Sequence, residues 1–244
     1  MDAYYQTIAA DFVRHRRVHS EVLGSLVSTG DLGASSSVLD VGCGTGNYLW
    51  ALSESVGCDC WGIDTSEAMV AEARKRISRA HLFCAPAERM ELPDTQFNLV
   101  FAVDVVHHLT DRPQAFRECF RVLRPGGKLC LVTESTEMVR RREPHATYFP
   151  EAIEVELVRY PAADTLSTEL RETGYLNLHK QEVELRYEII DIEPYRTKAH
   201  SSLALIAPEA FDVGIKRLIE DLRSGPIPIT WRYLLLWATK SGGD

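Results

Sequence analysis

The sequence predicts an α/β fold, a mostly parallel sheet covered by helices on both faces, and three observations predict it. Short apolar segments alternate with amphipathic ones through the first half of the chain. The apolar segments are hydrophobic throughout and do not alternate with polar residues, as strands buried on both faces should be. The loops between them are short, which suits strand–helix–strand units.

Each element follows in order. Tyr5 to about Thr29 has helical periodicity, with Ile8, Phe12, Val22, Leu23 and Leu26 on one face. A Gly- and Ser-rich hinge, Thr29 to Ser37, leads to a strand, Ser37 to Val41, and a glycine turn, Gly42 to Gly46. A helix is expected from about Asn47 to Ser55, a strand at Cys58 to Asp64, and a helix at Ser66 to Ser78. Strands at Ala80 to Ala85 and Phe97 to Val103 precede a helix at Arg112 to Leu123. Arg124-Pro-Gly-Gly127 closes that helix, and Lys128 to Thr133 reads as another strand. Glu134 to Pro161 is charged and irregular, and its Arg140, Arg141 and Arg142 either pair an acidic substrate or, as charge runs usually do, form a solvated face. A helix from about Ala163 to Thr173 ends at Gly174. Leu178 to Ile189 and Trp231 to Thr239 look strand-like, and 194–223 mostly helical, with Phe211, Ile215, Leu218 and Leu222 spaced for burial.

Composition narrows the class. With 244 residues, 45% hydrophobic and 25% charged, the chain can bury a substantial core. Its net charge of -8 argues against a nucleic-acid substrate, since such surfaces carry a basic excess. The longest apolar stretches, Leu99 to Val103 and Tyr233 to Ala238, are too short to span a bilayer. The N-terminal segment has no apolar core before a small-residue cleavage site. The 6 cysteines form no C-x-x-C pair and complete no zinc pattern, so reduced thiols, a cytoplasmic location and no metal are expected.

Val38-Leu-Asp-Val-Gly-Cys-Gly-Thr-Gly46 carries the strongest chemical signal. A strand enters a turn where missing Cβ atoms let backbone approach a ligand, and a helix N-terminus follows. Asp64 ends the next strand, where a carboxylate can accept both hydroxyls of a ribose. The spacing departs from G-x-G-x-x-G and suits a ligand without a pyrophosphate. Downstream come Ala85-Pro-Ala-Glu88, Leu92-Pro93, Phe97-Asn-Leu-Val100, His107-His-Leu109 and Arg121-Val-Leu-Arg-Pro-Gly-Gly127.

With these motifs the chain resembles the class I S-adenosylmethionine-dependent methyltransferases, especially the ubiquinone/menaquinone-biosynthesis-like, type 11 branch. The resemblance covers about residues 35–135 and extends loosely to Tyr5-Gln-Thr-Ile-Ala9 and the final strands. It implies a Rossmann-like seven-stranded sheet with the last strand antiparallel, and S-adenosylmethionine as cofactor, leaving as S-adenosylhomocysteine. It further implies that Asp40, Gly42, Cys43, Gly44 and Gly46 form the methionine and ribose cradle. Asp64 would hold the ribose, Thr65 and Met69 would pack near the adenine, and Ala87 and Glu88 would flank it. Val103 would offer a carbonyl to the methionine ammonium, and Tyr5 and Arg16 match family residues that approach its carboxylate. Many relatives place an Asp where this chain has Pro86, so adenine recognition here rests on backbone, Glu88 or water.

The acceptor side is less explicit. Methyl transfer from a sulfonium is an in-line displacement, so alignment supplies much of the acceleration and a base is needed only if the acceptor must lose a proton. His107 and His108 follow the fourth strand at the mouth, as base or as packing. Glu134 ends the fifth strand and either handles a proton or caps the loop. His145 reads as an exposed loop residue, and Tyr148, Phe149, Tyr195 and Trp231 either wall the acceptor or belong to the core. No Asn-Pro-Pro-Tyr signature of nucleic-acid amino methylation follows the fourth strand.

The expectation is therefore one domain over 1–244, with an N-terminal lid helix (1–30), a cofactor-binding core (35–135) and substrate-facing insertions (136–225). The helical lid would comprise the N-terminal helix and the 190–225 segment. The expected reaction methylates O, N or C of a small-molecule acceptor, in a monomer or homodimer with no nucleic-acid or membrane partner. Alternatives on the same fold are a cyclase or carboxymethyl transferase and a non-catalytic regulatory subunit. A nicotinamide oxidoreductase is disfavoured by the glycine spacing.

Overall fold

The computed structural model describes residues 18–242. Tyr5, Ile8, Phe12 and Arg16 lie outside the described residues. The chain continues as helix α1 (Ser20–Gly30), strand β1 (Ser37–Val41), α2 (Asn47–Ser55), β2 (Asp59–Asp64), α3 (Glu67–Arg76) and β3 (His81–Cys84). Then follow β4 (Phe97–Val103), α4 (Arg112–Val122), β5 (Leu123–Thr133), α5 (Thr136–Arg140), α6 (His145–Tyr148) and α7 (Pro150–Arg159). The C-terminal part contains α8 (Ala163–Thr173), β6 (Tyr175–Ile189), α9 (Glu193–Arg196), α10 (Pro208–Leu222) and β7 (Ile227–Lys240).

The strands form one 7-stranded sheet in the order β3-β2-β1-β4-β5-β7-β6. β1 to β5 run parallel. β7 is antiparallel to both β5 and β6, as the family resemblance implies. The strand order reverses between β1 and β4, so the crevice outside their C-terminal ends is where this topology places a ligand.

Side-chain alternation explains the two layers. Val38, Leu99 and Phe101 point to one face and pack with Val22, Leu26, Leu49, Leu52 and Val70 from α1 to α3. Leu39, Val41, Val100 and Ala102 point to the other face and pack with Ala115, Phe116 and Cys119 of α4 and Leu166 and Leu170 of α8. All five residues of β1 are buried, which is why its sequence shows no polar alternation. Each fully buried aliphatic side chain, such as Leu26, contributes about 1.5–3 kcal/mol.

Local chemistry sets most boundaries. The Ser66 side chain caps α3 by accepting from the Met69 N–H, and Asp111 caps α4 by accepting from Gln114. Gly174 ends α8 in the left-handed conformation at φ 104°, as its position predicts. β5 starts earlier than Lys128: Phe97 pairs with Leu123, the register shifts, and Leu99 pairs with Lys128, so Arg124 to Gly127 forms an irregularity within the strand.

The stretch expected to be irregular, 134–161, folds into α5, α6 and α7. Arg140 and Arg141 are exposed as the charge run suggests, but Arg142 is 5% exposed. His145, expected on an exposed loop, is fully buried. The reason is helical spacing, because Met138, Val139 and Arg142 share the inward face. Tyr148, Phe149 and Tyr195 join Leu203, Ile206 and Leu218 in a third core cluster, and Trp231 belongs to the first, so these aromatics pack in the core.

Candidate functional site

A cavity of about 510 Å³ opens at the C-terminal ends of β1, β2 and β4. That volume suits a nucleotide-sized ligand plus a small molecule. Its floor is the glycine turn. The N–H groups of Gly42 and Cys43 both donate to the Ile63 carbonyl, at 2.8 and 2.9 Å, which folds the turn back onto β2. Gly42 sits at φ 73°, and a Cβ there would lie 2.4 Å from the Val105 side chain. Only glycine fits this cradle.

Asp64 organises the turn from the neighbouring strand. One carboxylate oxygen accepts from the Gly44 N–H at 2.8 Å, and the other from the Ser66 N–H at 2.8 Å. Asp40 lies close by and is 3% exposed. Burial first, and the Asp64 charge second, push its carboxyl well above the usual range. A neutral Asp40 then avoids stacking a second buried negative charge beside Asp64.

Most of the sequence-predicted residues meet at this cavity. Asp40, Gly42, Cys43, Gly44, Asp64 and Thr65 line it, as do Met69, Ala87, Glu88, Val103, His107 and His108. Glu88 also anchors the wall. Burial opposes its charge, but N–H donors from Glu88 itself, Asp111 and Thr110 and the Thr110 hydroxyl outweigh that and lower its pKa. Pro86 lies in the wall too.

Two predicted residues stand elsewhere. Gly46, at φ 75°, caps the N-terminus of α2 and lets it pack on α3, since a Cβ would lie 2.7 Å from Ile77. Glu134 does not line the cavity; it is 1% exposed and accepts from the Arg142 Nε at 2.8 Å. Arg142 in turn donates to Glu156 at 3.1 Å, and its guanidinium lies 5.0 Å over Tyr160 and 5.2 Å over Trp231. Burial raises the Glu134 carboxyl to about 7, against the opposing pull of Arg142. Among the described residues, Glu134 Oε1 and Arg142 Nη2 have no hydrogen-bond partner. This cluster braces α5 and α7 on the end of β5.

The expected roof also changes. No residue of 190–225 lines the cavity; that segment packs on α6 and α7 instead. The upper wall comes from His19, before α1, from Arg159, at the end of α7, and from Tyr233 of β7. Asp104, Asn47 and Tyr48 complete the polar lining. Arg159 and Tyr233 were missed because their position depends on tertiary packing. Asp104 left a faint signal, an acid directly after β4 in the left-handed region at φ 57°.

The cavity fits S-adenosylmethionine. The Cβ-free cradle admits close backbone approach, and the Asp64 carboxylate beside it has the chemistry to accept from ribose hydroxyls. Ile63, Met69, Ala87 and Leu109 give apolar surface for a purine. The Asp104 carboxylate complements a cationic sulfonium or ammonium, and the neutral Asp40 carboxyl adds a polar wall. The buried Thr45 hydroxyl has no hydrogen-bond partner among the described residues and lines the cavity. Among the described residues, no cluster of His, Cys, Asp or Glu could hold a metal ion.

Fold and site together define the class I S-adenosylmethionine-binding architecture. Residues 39–131 match a family model described as a methyltransferase domain. The chain is 32% identical over 219 residues to the malonyl-[acyl-carrier protein] O-methyltransferase of Marinomonas, covering 88% of this chain and 76% of that protein. It is 31% identical over 142 residues to phosphoethanolamine N-methyltransferase 3 of Arabidopsis thaliana, covering 52% of this chain and 28% of that one. The crystal structure of the YcgJ protein of Bacillus aligns with a TM-score of 0.62 at 22% identity, over 92% of this chain and all of that one. The chain belongs to the class I S-adenosylmethionine-dependent methyltransferases, in the type 11 branch. The aligned part spans only 28% to 39% of several curated relatives.

Proposed function

We propose that this chain is an enzyme that moves the methyl group of S-adenosylmethionine to O, N or C of a small-molecule acceptor. The observation that carries this is the single cavity wall holding both the glycine cradle with Asp64 and the pair His107 and His108. The cofactor supplies an electrophilic methyl group on a sulfonium. The residues align it: Asp64 fixes the ribose end, the cradle sets the depth, and Asp104, held by the Tyr233 hydroxyl, faces the cationic end of the cofactor. Alignment of this kind accounts for much of the rate in an in-line displacement.

The three candidate proton acceptors separate by geometry. Glu134 is committed to Arg142, away from the cavity. His108 Nδ1 faces the Arg159 guanidinium at 3.4 Å; a guanidinium only donates, so this contact uses the Nδ1 lone pair and leaves the neutral ring's proton on Nε2. His107 stacks on Tyr160 with ring centroids 4.1 Å apart and lines the same wall, so it is the group to take a proton from an acceptor that must lose one.

The same reading extends to the whole chain: one domain over 1–244, with 1–30 as a lid helix, 35–135 as the cofactor core and, within 136–225, only the part that reaches the cavity through Arg159 as substrate-facing structure, since 190–225 packs behind it. Tyr5 and Arg16 would reach the methionine carboxylate. The net charge of -8 supports a metabolite over a nucleic acid. Among the described residues no helix is long and apolar enough to cross a membrane, and the cysteines are free thiols, as a cytoplasmic protein would have; the reading takes the chain as a monomer or homodimer. A relative named for phosphoethanolamine supports a free small-molecule acceptor, and one named for malonyl-[acyl-carrier protein] a small acyl group on a carrier. Incubation with methyl-labelled S-adenosylmethionine and a metabolite extract tests the reading. Label in a small molecule, with S-adenosylhomocysteine formed in equal amount, is expected. Conversion of an acceptor without label transfer would support a cyclase, and binding without turnover a regulatory subunit.

A further inference from the structure

We propose that the acceptor carries an anionic oxyacid group, a carboxylate or a phosphate, which Arg159 binds at the upper wall of the cavity. The inference rests on the methyl-transfer reading above. Arg159 is the only arginine or lysine among the described residues that line the cavity. The carboxylates of the wall, Asp64, Glu88 and Asp104, and the neutral carboxyl of Asp40 lie on the elements that form the cofactor half. The cavity is therefore polarised, acidic at the cofactor end and cationic where α7 closes over His108.

The contacts of Arg159 leave it available for a better partner. Its Nη1 donates to Ser201 Oγ at 3.2 Å and to Glu156 Oε2 at 3.4 Å, and its Nη2 faces His108 Nδ1 at 3.4 Å. All three are long for a guanidinium, whose charge-assisted bonds to oxyanions run at about 2.7–2.9 Å. Glu156 is shared, and its closer partner is Arg142 at 3.1 Å. Arg142 and Glu156 are buried, with side chains 4% and 5% exposed, while Arg159 at 16% reaches the cavity. The chain Glu134–Arg142–Glu156–Arg159 thus holds the last guanidinium in place without neutralising it fully.

The geometry also orients the acceptor. An oxyanion on Arg159 would lie beside His108, and its remainder would extend past His107 toward the cradle. A planar fork favours two-point binding of carboxylate or phosphate, which lysine cannot reproduce fully.

Calorimetric titration of the S-adenosylhomocysteine-saturated protein at pH 7 tests this with benzoate, succinate, phenyl phosphate and inorganic phosphate, against the neutral benzamide and succinamide. At least one anion is expected to bind about tenfold or more tightly than the amides, as a charged hydrogen bond implies. R159Q should lose about tenfold or more of that affinity, R159K should keep most of it, and both should bind S-adenosylhomocysteine as the native protein does. The carboxylate and phosphate arms identify which oxyanion the site takes. A 15N spectrum of the arginine side chains in the native protein should show the Arg159 Nε–H moving on anion addition, a readout that needs no variant. Equal binding of anions and amides, no anion binding, or undiminished binding to R159Q would overturn the proposal. Failure of S-adenosylhomocysteine itself to bind would overturn the underlying reading instead, and is seen before any anion is added.

Discussion

The hydroxyl of Tyr233 donates to the Asp104 carboxylate at 2.9 Å, joining the last strand of the sheet to the end of β4 inside the cavity. This bond couples the antiparallel strand to the reaction site. Y233F should leave the fold intact and cost about 1 kcal/mol at the site, the net value of one hydrogen bond. The expected readout is a roughly fivefold weaker Kd for S-adenosylmethionine by calorimetry, with a smaller change in Tm than for a core truncation. An unchanged Kd would place the bond outside the cofactor site.

Asp64 holds the glycine turn through Gly44 and the entry to α3 through Ser66. D64N replaces one accepting oxygen by a donor that faces an N–H. Cofactor affinity should fall by roughly ten- to hundredfold, the range for hydrogen bonds to a charged group. Calorimetry with S-adenosylhomocysteine checks this. Full affinity in D64N would remove Asp64 from ribose recognition.

Glu134 predicts a pH dependence of stability. Its folded pKa, about 7, stands above its ordinary 4.5. A raised carboxyl stabilises the fold fully below 4.5 and loses that contribution as pH rises through 7. E134Q cannot titrate, so the stability of E134Q relative to native protein should rise by up to roughly 3 kcal/mol between pH 4.5 and pH 8. Urea unfolding at several pH values measures this difference. A difference that is flat with pH would mean that Glu134 stays ionised throughout.

His107 and His108 should respond differently to alanine once an acceptor is in hand. H107A should lower kcat by about 10²–10⁴-fold and remove the acid limb of the pH–rate profile, if the acceptor must be deprotonated. H108A should chiefly raise the acceptor KM, because His108 accepts from Arg159 and helps hold its guanidinium at the wall. The same loss of kcat in both variants, with no change in the pH profile, would assign both rings to packing.

The sequence displayed those parts of the site that are local in the chain. Strand, glycine turn and Asp64 sit within one strand–helix–strand unit, so spacing alone places them together, and the structure keeps them at one cavity. The antiparallel last strand was legible only through family resemblance, because β7 looks like any apolar strand. Arg142 shows what a charge run hides. Three successive arginines look solvated, yet the helical step from Met138 turns the third one inward between Glu134 and Glu156. A reading at i, i+1 and i+4 from Met138 would have found it. Arg159 and Tyr233 had no such signal. Each reaches the cavity only because α7 and β7 pack against the end of the parallel sheet, and 190–225, the expected lid, lies behind α7 in its own core.

The most direct test of the central claim is thermal unfolding of the protein alone and with S-adenosylmethionine, S-adenosylhomocysteine or NAD. A ligand at 100 times its Kd stabilises the fold by about 2.7 kcal/mol, which raises the midpoint by several degrees. Both sulfur nucleotides should produce that rise and NAD should not. A rise with NAD alone, or none with either sulfur nucleotide, would contradict the assignment of the cavity.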